Sequence, residues 1–246
     1  MLKYADTSDK ECILGFTDDG AFGTKVKAII NAYGIDSSLV DVWFDEGKTV
    51  AVRFDGAMAL YCTPETDTEE LRQLIKLVGC TAVFCERRYA GLLTENFRHG
   101  TVMKYAGEKE NSHCEDASEN LREIYSLISE NIPGSFPGDG YMYWLSDFMH
   151  RFLRGLSRAR CVKENNSVAA CCVTSAETQA AAVISGVVCA KEFRSRGFGR
   201  QCVLGLTNEL TDEMKSVYVF VLNENAAGFY KKIGFEECGE WAEYKI

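Results

Sequence analysis

The stretch "FRSRGFGRQ", residues 193–201, places three arginines and two glycines on nine residues of a chain whose formal net charge is −9. It follows the apolar run "AAAVISGVVC" and precedes the helical pattern of "RQCVLGLTNEL", so we expect a turn between a strand and a helix. The N-terminus of a helix exposes unpaired N–H groups and a partial positive charge, which attract phosphate. Glycines let the backbone approach such a ligand closely. The stretch therefore indicates a site for a small phosphorylated ligand.

Two common phosphate-binding patterns do not fit this turn. The dinucleotide fingerprint G-x-G-x-x-G needs a third glycine where Cys202 stands, and the P-loop pattern G-x-x-x-x-G-K-[ST] does not occur. An oxidoreductase with a nucleotide cofactor is therefore disfavoured. The pattern that fits is R-x-x-G-x-G, formed by Arg194, Gly197 and Gly199. Taken alone, it also describes a glycine-rich helix start without a ligand.

A second motif gives the first one its meaning. The segment "NENAAGFYKKIGF", residues 223–235, contains the pattern N-x-x-A-x-x-x-Y-x-x-x-G-F. With R-x-x-G-x-G upstream, residues from about 118 to 246 resemble the GNAT superfamily of N-acyltransferases, whose acyl-CoA motif is [RQ]-x-x-G-x-[GA] between a strand and a helix. The resemblance implies that the C-terminal half has the GNAT acyl-CoA-binding fold.

The resemblance also implies roles for individual residues. The backbone of residues 187–189, at the end of the strand before the turn, would pair with the pantetheine arm of CoA. Residues 195–200 would wrap the pyrophosphate with their N–H groups, and Asn223 would contact the cofactor. Tyr230 would be the general acid that protonates the departing CoA thiolate, although a core tyrosine is the alternative. The residues expected to bind the cofactor are Val187, Val188, Cys189, Arg194, Ser195, Arg196, Gly197, Phe198, Gly199, Arg200 and Asn223.

The expected activity is transfer of an acetyl group from acetyl-CoA, as co-substrate, to a primary amine by direct attack in a ternary complex, with no metal. Many relatives use a glutamate on the strand that here reads "VYVFVL", and this strand has no carboxylate. Glu192 and Glu224 flank the motifs as candidate general bases, while a base acting through water or an amine that arrives neutral is equally open. Asp147 and His150 are better explained by a solvated helix face. The alternative function is a sensor that binds acyl-CoA with little turnover.

The acceptor site of this family is usually shaped by the first helices and the loop between them. Here that region is "NIPGSFPGDGYMYW", with Tyr141, Tyr143 and Trp144 as candidate walls of an amine pocket. Core packing explains these aromatic residues about as well.

We expect an α/β protein of the α+β type with a mixed sheet, divided into two domains. The polar segment "YAGEKENSHCEDASEN", residues 105–120, is the linker candidate, so the division is 1–110 for a smaller α/β domain and 111–246 for the GNAT domain. In the N-terminal half, Asp67 and Glu70 fit a capping box at the start of a helix. This half has neither GNAT motif, so we expect one CoA site per chain, and the sequence shows no internal repeat.

Composition limits the other functions. A pI near 5.0 argues against general nucleic-acid binding, which needs a basic face. No apolar run approaches the roughly 20 residues of a membrane span, and the first residues lack a secretory h-region, so we expect a cytoplasmic protein. The eleven cysteines include no C-x-x-C and no zinc spacing, so most are expected to be small buried hydrophobes. A homodimer is an open alternative.

Overall fold

The computed structural model describes residues 1–132 and 140–246. The chain forms two compact units. The N-terminal unit comprises Met1–Met103, Phe220–Gly228 and Glu237–Ile246, and the C-terminal unit comprises Lys104–Val219 and Phe229–Glu236. The last strand, which the sequence assigns to the C-terminal domain, thus lies mostly in the N-terminal unit.

Up to residue 105 the chain forms six strands and four α-helices. These elements are β1 Lys3–Tyr4, α1 Lys10–Phe16, α2 Ala21–Tyr33, β2 Val40–Asp45, β3 Thr49–Phe54, β4 Ala57–Cys62, α3 Thr68–Val78, β5 Ala82–Glu86, α4 Arg87–Leu93 and β6 Arg98–Tyr105. The alternating apolar pattern of "LVDVWFDEGKTVAVRFDGAMALYC" correctly predicts the meander of β2, β3 and β4.

Within the described residues from 115 onwards, six more strands and four more α-helices follow. They are β7 Glu115–Asp116, α5 Leu121–Asn131, α6 Tyr141–Phe152, β8 Ala159–Glu164, β9 Ser167–Glu177, β10 Ala181–Cys189, α7 Phe198–Asp212, β11 Ser216–Val221, α8 Glu224–Lys232 and β12 Phe235–Lys245. The predicted loop "PGSFPGDG" falls almost entirely outside the described residues.

The sheet of the N-terminal unit has helices on both faces. Strands β1 to β4 pair antiparallel in sequence order, β4 and β5 pair parallel, and β12 pairs antiparallel with β5 from Trp241 to Lys245. On one face, α2 buries Val26 and Ile30 against the sheet; on the other, α3 buries Leu71. Because β12 completes this sheet, the C-terminal strand packs with the N-terminal residues.

The helix α3 begins as the sequence predicts, with one difference. The Asp67 carboxylate accepts hydrogen bonds from the backbone N–H groups of Glu69, at 3.1 Å, and of Glu70, at 3.0 Å. The Glu70 carboxylate does not complete the predicted capping box, because it accepts a hydrogen bond from the Leu2 backbone N–H at 2.9 Å. Asp67 is therefore the N-cap, and Glu70 ties the helix to the first strand.

In the C-terminal unit, β7 to β10 also pair antiparallel in sequence order, and β10 and β11 pair parallel. Helices α5 and α6 cover one face of β8, β9 and β10 through Ile124, Ile128 and Phe148, as the periodicity of α5 predicts. Helix α7 packs against the same three strands. The apolar pattern of α5 extends to Ile132 in the sequence, but the helix ends at Asn131 and Ile132 is 37% exposed.

The two halves of the chain share one topology. The order β-α-α-β-β-β-α-β-α-β occurs from β1 to β6 and again from β7 to β12. The ladders also agree, with three antiparallel pairings followed by one parallel pairing in each half. The repeat is absent from the sequence because a topology needs only the right order of apolar patterns and turns, not the same residues.

The polar segment expected to be a linker is anchored to α7. The Ser112 hydroxyl donates to the Gln201 carbonyl at 2.9 Å, and the Asn208 side-chain amide donates to the Glu110 carbonyl at 2.8 Å. A side chain at Gly205 would meet Cys114 at 2.7 Å, so the glycine permits this close contact. Short polar hydrogen bonds, which leave no periodic signal in the sequence, hold the segment in place.

The cysteines and the helices carry two further observations. All eleven cysteines lie in the described residues, none of them forms a disulfide bond, and seven are buried, which agrees with their predicted role as small hydrophobes. Among the helices of the described residues, none has both the length and the apolar character that crossing a membrane requires.

Candidate functional site

Strand β10 leaves its parallel neighbour after a short ladder. It pairs with β11 over four residue pairs, from Ala181–Ser216 to Ile184–Val219. Its ladder with β9 then has an irregularity between Ser185 and Val188 and continues to Cys189. Gly186, with φ +57, lies in that irregularity. Residues 185–189 of β10 therefore keep β9 as a neighbour while their other edge lies outside the β10–β11 ladder.

The turn after β10 begins with a 3-10 helix, Lys191–Phe193, and ends at α7. Ser195 and Gly197 both adopt the left-handed backbone conformation, with φ +60 and +86. Gly197 is the N-cap of α7, and its first N–H groups receive no side-chain cap. This helix of 15 residues thus begins at a glycine that supplies no capping side chain, so its partial positive charge is not compensated at that position.

The two glycines of the turn differ in what they require. At Gly197 a Cβ would meet nothing within 4 Å, but the positive φ makes a side chain strained. At Gly199, which lies in the first turn of α7, the nearest atom to a Cβ would be the Cys189 Cβ at 3.9 Å, an ordinary contact. The backbone conformation therefore explains Gly197 alone.

The three arginines of the turn all have partners within the chain. Arg194 donates to the Asn131 side chain at 2.6 Å and to the Cys189 carbonyl at 3.2 Å, which fastens the turn to α5 and to the end of β10. Arg196 forms an ion pair with Glu164 at 2.6 Å. Arg200 forms an ion pair with Glu110.

Arg196 also lies against two aromatic rings of the turn. Its guanidinium carbon is 4.9 Å from the centre of the Phe198 ring and 5.7 Å from that of Phe193. The rings restrict the guanidinium without neutralising it.

A cavity of about 390 Å³ lies beside the turn. Its lining includes Gly197, Arg196 and Arg200 on α7 and the turn, and residues 111–113 of the anchored segment. The arrangement offers guanidinium groups, an imidazole and the open start of a helix to one small volume. Such a lining suits an anion.

Tyr230 lies on α8 and is 9% exposed. Its ring contacts Phe229 and Phe235 at centroid distances of 5.1 and 5.3 Å. Burial raises the pKa of this hydroxyl well above its ordinary value near 10.0. The phenol therefore holds its proton more tightly than an ordinary tyrosine does, and its burial between rings also fits the alternative of a core tyrosine.

Asn223 has a structural role that the sequence does not reveal. Its side-chain oxygen accepts a hydrogen bond from the Ala226 backbone N–H at 3.0 Å, which caps the start of α8. Its contact with a cofactor, implied by the resemblance, stays a prediction. The predicted end of α8 is confirmed, since Gly234 follows the helix with φ +91.

The family model described as FR47-like protein matches residues 160–246, the part of the chain that holds the turn, α7, Tyr230 and the closing strand. This part of the chain resembles that family, and its fold is the GNAT fold. No curated protein matches the sequence.

Solved structures with the GNAT fold match the whole chain. An acetyltransferase of the GNAT family from Colwellia psychrerythraea is 14% identical, with a TM-score of 0.64, 100% of this chain and 99% of that chain covered. A GCN5-related N-acetyltransferase from Sphaerobacter thermophilus is 15% identical, with a TM-score of 0.60 and coverages of 100% and 95%. A tandem GNAT protein from the clavulanic acid biosynthesis pathway is 13% identical, with a TM-score of 0.61 and coverages of 100% and 98%. At these identities the likeness concerns the fold.

The N-terminal unit has the order of elements of the GNAT fold, but it lacks a glycine- and arginine-rich turn like residues 193–201. Between β4 and α3, at the place that the turn of the GNAT domain occupies between β10 and α7, the sequence is "TPETD", residues 63–67. The Asp67 carboxylate occupies the first N–H groups of α3, and Glu65 and Glu69 add further negative charge. A phosphate at this helix start would meet like charge.

The candidate general bases of the GNAT domain have ordinary surroundings. Glu192 and Glu224 are both exposed. Asp147 accepts hydrogen bonds from Arg151, one turn along α6, at 2.5 and 3.2 Å, and His150 contacts Arg154 at 3.3 Å. Asp147 and Arg151 thus form an ion pair whose side chains are only 21% and 14% exposed, so this face is less solvated than the sequence suggests.

The aromatic residues of the expected acceptor region form a cluster on the described part of α5 and α6. Tyr125, which sequence reasoning did not single out, lies 5.3 Å from Tyr141 and 5.7 Å from Trp144 between ring centroids. Tyr143 is 43% exposed. Residues 133–139 of the predicted acceptor loop lie outside the described residues.

Sequence reasoning also missed the acidic partners of the turn, Glu110 and Glu164. Both lie far from the turn in sequence, one in the anchored segment and one at the end of β8. The surplus of acidic residues, 36 Asp and Glu against 27 Lys and Arg, is the one sequence signal that suggests carboxylates near the arginines, and it does not say which ones.

Proposed function

We propose that the chain is an acyl-CoA-dependent N-acetyltransferase that moves an acetyl group from acetyl-CoA to a primary amine. Two neighbouring features, the start of α7 and the end of β10, support this proposal best. The uncapped, glycine-initiated start of α7 follows β10 after the turn of residues 190–197, at the end where that strand has left its parallel neighbour. The first feature suits a pyrophosphate and the second an extended arm that pairs with a strand edge.

In this proposal the turn and the end of β10 hold acetyl-CoA. Residues 195–200 would hold the pyrophosphate with N–H groups, and the backbone of Val187, Val188 and Cys189 would pair with the pantetheine arm. Burial raises the pKa of the Cys189 thiol, so this cysteine is suited to packing and not to a covalent intermediate.

Catalysis would proceed by direct attack. The nitrogen of a neutral amine attacks the thioester carbonyl carbon, the carbon–sulfur bond breaks, and the thiolate takes a proton from the Tyr230 hydroxyl. The surplus proton of the amine leaves to water or to a carboxylate.

A single CoA site per chain is part of the proposal. The start of α7 is uncapped, whereas the corresponding helix start in the N-terminal unit is filled by the Asp67 carboxylate.

We also propose a cytoplasmic location. The acceptor is an amine in this proposal, and a homodimer stays open.

The first test is calorimetric titration of the full chain with acetyl-CoA, with CoA and NAD alongside. The expected result is one site per chain for acetyl-CoA and CoA and none for NAD. Gly197→Val should abolish binding, because a β-branched residue cannot adopt φ +86, whereas the matched variant Gly199→Ala should bind. No binding of acetyl-CoA at millimolar concentration would reject the proposal.

A sensor that binds acyl-CoA with little turnover is the second candidate, favoured by the absence of a carboxylate from β11. The two candidates differ at Tyr230. For an enzyme, Tyr230→Phe should lower the rate of thiol release in the presence of an amine by roughly 10²–10⁴ while acetyl-CoA binding persists. For a sensor, wild type and variant should release thiol equally slowly.

A further inference from the structure

Two arginines of the turn, Arg196 and Arg200, each form an ion pair with a carboxylate from another part of the C-terminal unit. We propose that Glu110 and Glu164 are built-in counter-anions of the turn, which hold Arg200 and Arg196 until a ligand of higher charge density, such as a pyrophosphate ester, displaces them. This inference rests on the proposed function for the identity of the ligand, but not for the behaviour of the turn toward anions.

Glu110 reaches the turn because its backbone is fixed. Its carbonyl accepts a hydrogen bond from the Asn208 side chain at 2.8 Å, and two residues later the Ser112 hydroxyl bonds the Gln201 carbonyl at 2.9 Å. Both partners lie on α7, the helix that carries Arg200 in its first turn. The ion pair thus joins two fixed backbones through two side chains.

Glu164 is placed just as definitely. It is the last residue of β8, and the next two residues, Asn165 and Asn166, make the tight turn to β9 with φ +53 and +62. Its partner Arg196 is restricted on the other side by the Phe198 ring at 4.9 Å. The carboxylate therefore meets a guanidinium that is already oriented.

Both ion pairs are exposed enough to exchange partners. The exposed fractions of the side chains are 46% and 44% for Arg200 and Glu110, and 48% and 34% for Arg196 and Glu164. Exposed pairs contribute little stability, so the folded chain loses little when a pair opens. The cavity of about 390 Å³ beside Arg196 and Arg200 gives a ligand phosphate room to replace the carboxylates.

The consequence is selectivity among anions. A doubly charged pyrophosphate can contact the helix N–H groups and both guanidinium groups together, and so outcompete two separate carboxylates. A weak monovalent anion cannot. Without the carboxylates, the turn would be a basic patch open to any polyanion.

The test compares calorimetric affinities of the full chain for inorganic pyrophosphate and for acetyl-CoA. Glu110→Gln and Glu164→Gln should each tighten pyrophosphate binding about two- to fivefold, the change expected when a competing exposed ion pair is removed. The control is Glu108→Gln, which changes the net charge equally at an exposed residue two positions from Glu110. Its effect should be less than half as large.

A second background isolates the pair. In Arg200→Gln, the further substitution Glu110→Gln should give no gain, because the arginine that it would release is absent. Weaker binding by Glu110→Gln alone would overturn the proposal and make Glu110 a positioning residue for Arg200. An equal effect of Glu108→Gln would also overturn it, in favour of general charge.

The two probes separate this proposal from the proposed function. If the variants tighten pyrophosphate binding while acetyl-CoA does not bind, the counter-anions stand and the acetyltransferase assignment fails. If acetyl-CoA binds and neither variant changes any affinity, the acetyltransferase assignment stands and the counter-anion proposal fails. Absence of pyrophosphate binding in the Glu110→Gln/Glu164→Gln double variant overturns the counter-anion proposal.

Discussion

The turn of residues 193–201 contains two glycines, Gly197 and Gly199. Replacing each of them by alanine tests whether they have different roles. At Gly199 the new Cβ would make one ordinary contact, with the Cys189 Cβ at 3.9 Å, and the residue is helical. A glycine replaced by alanine at a compatible position stabilises a protein by about 0.4–1 kcal/mol, mainly by restricting the unfolded chain. We expect Gly199→Ala to be at least as stable as wild type.

At Gly197 the same substitution has the opposite sign. The residue has φ +86, where a side chain costs about 1–2 kcal/mol, and nothing lies within 4 Å of the new Cβ, so no clash adds to that cost. After the gain in the unfolded chain is subtracted, the net loss is about 1 kcal/mol. For a chain of this size, 1 kcal/mol corresponds to roughly 2–4 °C in Tm.

The assay is thermal unfolding followed by calorimetric titration with acetyl-CoA. Gly199→Ala should show an equal or higher Tm and wild-type affinity, which agrees with the alanine that the GNAT pattern accepts at this position. Gly197→Ala should show a lower Tm and weaker binding, because relaxing φ turns the first N–H groups of α7 away. A lower Tm for Gly199→Ala, or an unchanged Tm for Gly197→Ala, would refute the reasoning.

Three further predictions concern charged groups. Glu177 is fully buried between Arg158 at 2.8 Å and Lys215 at 2.7 Å, so Glu177→Ala should lower the free energy of unfolding, measured with urea, by about 3–5 kcal/mol. Arg158 holds the pKa of the Glu213 carboxyl at about 2, below its ordinary 4.5. The stabilisation that this shift gives is present above pH 4.5 and is lost as the pH falls toward 2. Glu213→Gln should therefore flatten the curve of Tm against pH between these two values. Asp67→Ala should cost about 0.5–2 kcal/mol in urea unfolding, because it removes the cap of α3.

Much of the fold was predictable from short stretches of sequence. The meander of β2 to β4, the cap at Asp67, the strand–turn–helix order around residues 193–201 and the glycine after α8 all depend on patterns within about ten residues. Such patterns report the backbone preference and the buried face of one element at a time. The same holds for the two GNAT motifs, each of which lies within one short segment, residues 194–199 and 223–235.

Other features depended on partners that are far apart in the chain. The pairing of β12 with β5, the shared topology of the two halves, and the anchoring of residues 109–114 to α7 have no periodic signal in any window of the sequence. Which strand an edge accepts is decided by the whole sheet, because backbone hydrogen bonds are the same for every sequence.

The site shows the same division. The sequence by itself determined that a glycine- and arginine-rich turn precedes a helix and that Tyr230 follows at GNAT spacing. Only the tertiary structure decided that Gly197 and not Gly199 needs its conformational freedom, that Glu110 and Glu164 hold two of the arginines, and that Tyr230 is buried. Charge pairing and burial depend on distances in space, and those distances exist only once the chain has folded.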